Sequence, residues 1–105
     1  MNVNEYWRAE HKYLSGTIPP QLGKLSSLKA LNLNFNKLVG TLPPDLFKLK
    51  NLIQLDLNEN LLSSTIPVLI GNLVQLRYLQ LESNRLQGTL PKELGQLSNL
   101  GKLFY

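Results

Sequence analysis

The 105 residues include no cysteine and a single histidine. Without thiols there is no thiol nucleophile and no thiolate zinc site. No apolar run follows Met1, so no signal peptide is visible, and no stretch approaches a membrane-spanning length. Asparagine is abundant, yet no Asn-x-Ser/Thr glycosylation sequon occurs. Catalytic patterns are equally scarce: neither G-x-S-x-G nor HExxH is present. Gly16 to Lys24 and Gly95 to Lys102 faintly resemble phosphate loops, but the glycine spacing is wrong. Leu25 or Leu103 also stands where the magnesium-binding Ser or Thr belongs. His11 reads as a surface residue, not a base. We therefore expect no catalytic residue, no metal ligand and no cofactor. Eleven Lys and Arg against seven Asp and Glu give a formal charge of +4. That excess falls short of a nucleic-acid-binding tail, so no nucleic acid partner is expected.

What the chain has is a clock of leucines. Leu28, Leu52, Leu76 and Leu100 are 24 residues apart, and so are Leu31, Leu55, Leu79 and Leu103. Leu33, Leu57 and Leu81 keep the same step, as do Asn36, Asn60 and Asn84. A fixed period of this length marks a solenoid whose repeats stack only on their neighbours. Full repeats run 28–51, 52–75 and 76–99, with partial units at both ends. Residues 13–105 form the repeat domain, and residues 1–12 a degenerate first strand or N-terminal cap. Counting back one period from Leu28, Leu31 and Leu33 lands on Asn4, Trp7 and Ala9. The reading is a strand over Tyr6 to His11 with Trp7 plugging the open end of the core.

Each part of the repeat has a physical role. In Leu31-Asn32-Leu33 apolar and polar residues alternate, which turns the leucines to one side of a strand. Strands one period apart run parallel and their leucines stack. Asn36, Asn60 and Asn84 form a structural ladder, bonding backbone groups that the turn leaves unpaired. Gly16, Gly40 and Gly88 supply backbone freedom before a short Thr-Ile or Thr-Leu strand, which Pro19, Pro43, Pro67 and Pro91 end. Pro43 to Leu49 is too short for an independent helix, and a 3₁₀ or single helical turn burying Leu46 and Leu49 is expected. Ser64 replaces Gly in one column, and Phe47 stands in the column of Gly23, Gly71 and Gly95.

The shared string LxxLxLxxNxLxGTLP followed by xxLxxL resembles the plant-type leucine-rich repeat. That repeat is found in receptor-like kinase and receptor-like protein ectodomains and in plant inhibitors of polygalacturonase. The resemblance covers about residues 13–105. It implies an α/β solenoid: a right-handed coil with a concave parallel β-sheet, short second strands, and 3₁₀ or short helical turns on the convex side. It also implies a non-catalytic module that recognises a protein or peptide on the concave face. The alternatives are an enzyme inhibitor like those of polygalacturonase, or a structural scaffold without its own ligand. Such plant relatives usually close their ends with paired cysteines, which are missing here. Two accounts fit. The chain is an internal piece of a longer secreted receptor, extracellular at the plasma membrane and attached only through parts outside this chain. Otherwise it is a small cytoplasmic protein.

Candidate partner-binding residues are those pointing away from the leucine core: Lys29, Ala30, Asn32, Asn34 and Phe35; Ile53, Gln54, Asp56, Asn58 and Glu59; Arg77, Tyr78, Gln80, Glu82 and Ser83; Lys102 and Phe104 extend the surface. Asp56, Glu59 and Glu82 are expected to form an acidic area beside Phe35 and Tyr78, aromatic anchors of the kind interfaces favour. The bland alternative is a row of hydrated strand residues. Lys24, Lys48, Lys50 and Lys29 suggest a ridge, read either as a solvated edge or as contact with an anionic polymer such as pectin or with phosphate. Leu61, Val68 and Leu69 are apolar where other units are polar, a small sticky area or singly tolerated residues. Five strands about 4.8 Å apart and roughly 17 Å long offer on the order of 400 Å². That is half the roughly 800 Å² per partner of a standard interface. The open edge at Leu100 to Tyr105 is a template for self-association.

Overall fold

The computed structural model describes residues 5–105, so Asn4 and the rest of residues 1–4 lie outside it. One chain-length coil carries two parallel sheets. The first joins β1 (Tyr6–Arg8), β3 (Ala30–Asn32), β5 (Gln54–Asp56), β7 (Tyr78–Gln80) and β9 (Lys102–Phe104) in that order. The second joins β2 (Ser15–Thr17), β4 (Lys37–Gly40), β6 (Leu61–Ser64) and β8 (Arg85–Leu86). Between second-sheet strand and next first-sheet strand lies a 3₁₀ turn: η1 (Pro20–Lys24), η2 (Pro44–Lys48), η3 (Val68–Asn72) and η4 (Lys92–Gln96).

In the first sheet the pairing step equals the sequence period. Trp7 pairs with Leu31, Leu31 with Leu55, Leu55 with Leu79, and Leu79 with Leu103. Identical apolar side chains therefore stand beside one another, and Leu31, Leu55 and Leu79 are fully buried. The second sheet pairs differently: Gly16 with Leu38, Gly40 with Leu62, Ser64 with Leu86. Its step is 22 residues, two short of the repeat, so each strand slips by two residues on its neighbour. An even slip is required, because an odd one would turn Leu38 and Leu62 out of the core.

β4 and β6 run up to the glycine column and β8 stops before it, not after it as the sequence suggested, whereas β2 spans Gly16 and includes Thr17. Gly16, Gly40 and Gly88 take φ of 81°, 86° and 80°, a left-handed kink that ends β4 at Gly40 and lies within β2 at Gly16. Ser64 adopts φ of 72° at the same place, at a cost on the order of 1–2 kcal/mol. The following prolines are extended, with φ near −70°, and lead into the 3₁₀ turns. Each turn closes through a leucine N–H, as where Leu49 donates to the Leu46 carbonyl at 3.3 Å. A methyl at Gly23 would run into the Asp45 carbonyl, so η1 and η2 sit very close. Phe47, buried in the corresponding place, is a wedge, and η3 touches η2 less than η1 does.

The asparagine ladder stitches coil to coil. Asn60 Nδ2 donates to the carbonyls of Leu33, Leu57 and Asn58 at 3.0, 3.1 and 3.3 Å, and its Oδ1 accepts from Leu38 N at 3.0 Å. Asn36 and Asn84 repeat this set one coil earlier and later. At the ends the core thins. Trp7 holds the expected column but is 43% exposed, so it borders the open end instead of sealing it. Beside it a recess of about 370 Å³ is lined by Ala9, Leu14, Pro19, Leu22 and Leu38. Among the described residues nothing stacks beyond the last coil, and Leu86, Leu94, Leu100 and Leu103 are only partly buried.

Candidate functional site

Side chains opposite the leucines form rows along the first sheet. One row is Tyr6, Ala30, Gln54, Tyr78 and Lys102; the next is Arg8, Asn32, Asp56, Gln80 and Phe104. The ladder runs on past the strands, with Leu33 N donating to the Asp56 carbonyl and Phe35 N to the Asn58 carbonyl. That continuation sets Glu10, Asn34, Asn58 and Glu82 in a third row on the same face. His11, Phe35, Glu59 and Ser83 follow, all left-handed with φ of 55–57°, where the chain leaves the sheet. Lys29, Ile53 and Arg77 precede the strands, joined by Ile53 N to Lys29 O and Arg77 N to Ile53 O.

Depth separates these residues in a way that alternation alone does not predict. Tyr78, Phe35, Phe104, Arg77, Glu59 and Ser83 are exposed, whereas Asp56 and Asn58 retain only 3% and 8% of their surface and Asn32 is buried too. The expected acidic area is thus not a single exposed patch. Its Asp56 lies at the bottom of a recess of about 310 Å³ with Gln54, Tyr78, Gln80, Lys102 and Phe104 around it. Neighbouring strands only about 4.8 Å apart let these longer side chains overhang the short ones. Glu59 stands apart at the outer rim, and Glu82 is half-buried between them.

Gln54 Nε2 donates to Asp56 Oδ2 at 2.6 Å, and Asn34 N donates to Asn32 Oδ1 at 3.1 Å. Burial raises the Asp56 pKa above 3.8. The Glu82 and Glu10 carboxylates push the same way, against the Gln54 hydrogen bond and the Arg8 charge. Arg8 Nη2 lies 3.2 Å from Glu10 Oε1, and Lys29 Nζ 3.6 Å from Glu5 Oε1. His11 stacks on Phe35 with ring centroids 4.5 Å apart and planes inclined by 14°. Tyr6, Arg8, Glu10 and His11 extend the face by one coil, though they were not among the sequence candidates. A count of 24 back from Ala30, Asn32, Asn34 and Phe35 reaches them, but the degenerate first unit carries no leucine pattern to prompt it.

Outside this face, Leu61, Val68 and Leu69 are exposed, and the exposed Val39 pairs with Leu61. Among the described residues no group of three or more metal-binding side chains is placed to hold an ion. Nor is any helix among them long and apolar enough to cross a membrane.

A family model described as leucine rich repeat matches residues 26–86. No curated protein matches the chain. Among solved structures, the ectodomain of the plant membrane receptor kinase GASSHO1/SCHENGEN3 from Arabidopsis thaliana, in complex with CASPARIAN STRIP INTEGRITY FACTOR 2, is 47% identical with a TM-score of 0.86. The match covers 87% of this chain and 11% of that one. The plant peptide hormone receptor RGFR1, in complex with RGF2, is 40% identical with a TM-score of 0.90, over 91% of this chain and 15% of the receptor. The SOBIR1 receptor kinase ectodomain from Arabidopsis thaliana is 43% identical with a TM-score of 0.86, over 91% and 52%. This chain thus spans between about a tenth and a half of the length of these relatives.

Proposed function

The chain belongs to the leucine-rich repeat family, and on that premise we propose that it is a non-catalytic binding module. It is a stretch of plant-type receptor ectodomain that works outside the cell and holds a peptide or protein on its concave strand face. The observation that carries this reading is the exposed aromatic set on that face. Tyr78 and Phe104 rise beside the recess over Asp56, and Phe35 stacks with His11 at the rim. Aromatic anchors bordering polar groups supply most of the energy of typical interfaces. That the structural relative RGFR1, in complex with RGF2, is a peptide hormone receptor supports the same reading.

The face is small, so binding by this chain alone is weak, in the range of micromolar to millimolar dissociation constants. Screening the purified chain against a library of short extended peptides, followed by Tyr78→Ala and Phe104→Ala, tests the proposal. Each truncation is expected to weaken a selected peptide at least about 5-fold, the equivalent of a hot-spot residue costing about 1 kcal/mol. Peptides that bind equally well to both variants, with the fold retained, would remove the concave face as the site.

We also infer that this polypeptide self-associates through β9. Among the described residues that strand has one neighbour, β7, and it carries the exposed Phe104 beside the half-buried Leu103, with the exposed Tyr105 following.

A further inference from the structure

Five buried side-chain atoms among the described residues accept no hydrogen bond: Glu10 Oε2, Asn34 Oδ1, Asn58 Oδ1, Glu82 Oε1 and Asp56 Oδ1. Every one is an oxygen acceptor, and none is a donor. Four of them belong to consecutive members of the third concave row, and the fifth is one step away in the second row. Buried polar atoms in folded proteins nearly always find partners, so an aligned row of acceptors not used by the protein itself is suited to a partner that donates hydrogen bonds.

The local charges narrow the chemistry. Asp56, Glu82 and Glu10 approach closely enough to raise the Asp56 pKa, and Arg8 is already engaged by the other oxygen of Glu10. Lys102 stands at the edge of the recess, exposed to solvent that screens it. The remaining demand is for positive charge with several N–H groups, placed between acceptors about 4.8 Å apart on neighbouring strands. A guanidinium supplies five such donors in a planar fork, where an ammonium supplies a point charge.

We propose that Asp56, Asn58 and Glu82 together hold the guanidinium of an arginine side chain on the peptide ligand. The proposal rests on the reading of the concave face as a peptide site and names one chemical requirement of that peptide. The first probe is acetyl-Gly-Arg-Gly-amide, followed by two-dimensional ¹H–¹⁵N NMR. Its counterpart replaces arginine by citrulline, which keeps the shape and loses the charge.

The arginine peptide should shift the side-chain amide signals of Asn34 and Asn58 and lower the Asp56 titration midpoint. The citrulline peptide should bind at least tenfold more weakly. Glu82→Gln, at a half-buried position, should weaken the arginine peptide at least fivefold while leaving the free spectrum otherwise intact. Equal responses to the two peptides would overturn the proposal, as would shifts scattered away from this row. The same shifts produced by calcium chloride alone would also overturn it, in favour of a metal. If the two peptides tie while a library peptide still depends on Tyr78, the guanidinium pocket falls and the concave-face reading stands. If no peptide perturbs the concave face, both fall.

Discussion

At the scale of single residues, the asparagine ladder shows how context sets the worth of one side chain. Asn60 makes its four hydrogen bonds inside the stack, whereas the Oδ1 of Asn36 is reached by Lys12 N and Leu14 N at the exposed end. Water replaces lost partners only at that end. Asn60→Ala is therefore expected to cost about 1–3 kcal/mol in chemical denaturation, more than Asn36→Ala. Equal losses at the two sites would refute the burial argument. Asp56 behaves in the opposite sense. Its pKa is raised on folding above 3.8, so its contribution is fully present below that value and lost as pH rises through the folded midpoint. Glu82, Glu10, Arg8 and Lys102 face it and are unchanged in sequence in the variant. Stability relative to Asp56→Asn should thus improve as pH falls from 7 toward 4, measured by urea melts at each pH. A difference that stays flat or reverses would contradict the assigned cause.

At the scale of the element, position in the stack decides energy. Leu55 in β5 has Leu31 and Leu79 on its two sides, while Leu103 in β9 has only Leu79. Leu55→Ala should cost about 2–5 kcal/mol, and Leu103→Ala less than half as much because the open end already admits water. Comparable losses would mean that the last coil is covered as well as the middle ones. The leucine columns, the 3₁₀ turns and the asparagine positions could be read from the chain because all share one period. β4, β6 and β8 were misplaced because the glycine column was taken to open the second strand, although in these coils the strand ends at or before it. The depth of Asp56 and Asn58 could not be read at all. Alternation tells which side of a strand a residue occupies, but not which neighbours lean over it, and here Tyr78 and Phe104 belong to other coils.

At the scale of the whole molecule, two features follow from coils that meet only their neighbours. The first is association. With β9 unpaired on its outer side, light scattering should show a dimer that grows with concentration, and Tyr105→Asp with Phe104→Lys should suppress it. Only monomer at high concentration would discard that expectation. The second lies in the two pairing steps, 24 residues on one side of the coil and 22 on the other. A two-residue offset moves each rung about 7 Å sideways relative to the last along one wall, with no such displacement along the opposite wall. A stack built that way cannot remain a straight trough. Were more coils of the same kind added, the trough would wind into a spiral staircase whose curve and tilt are set by a backbone mismatch that no single side chain encodes.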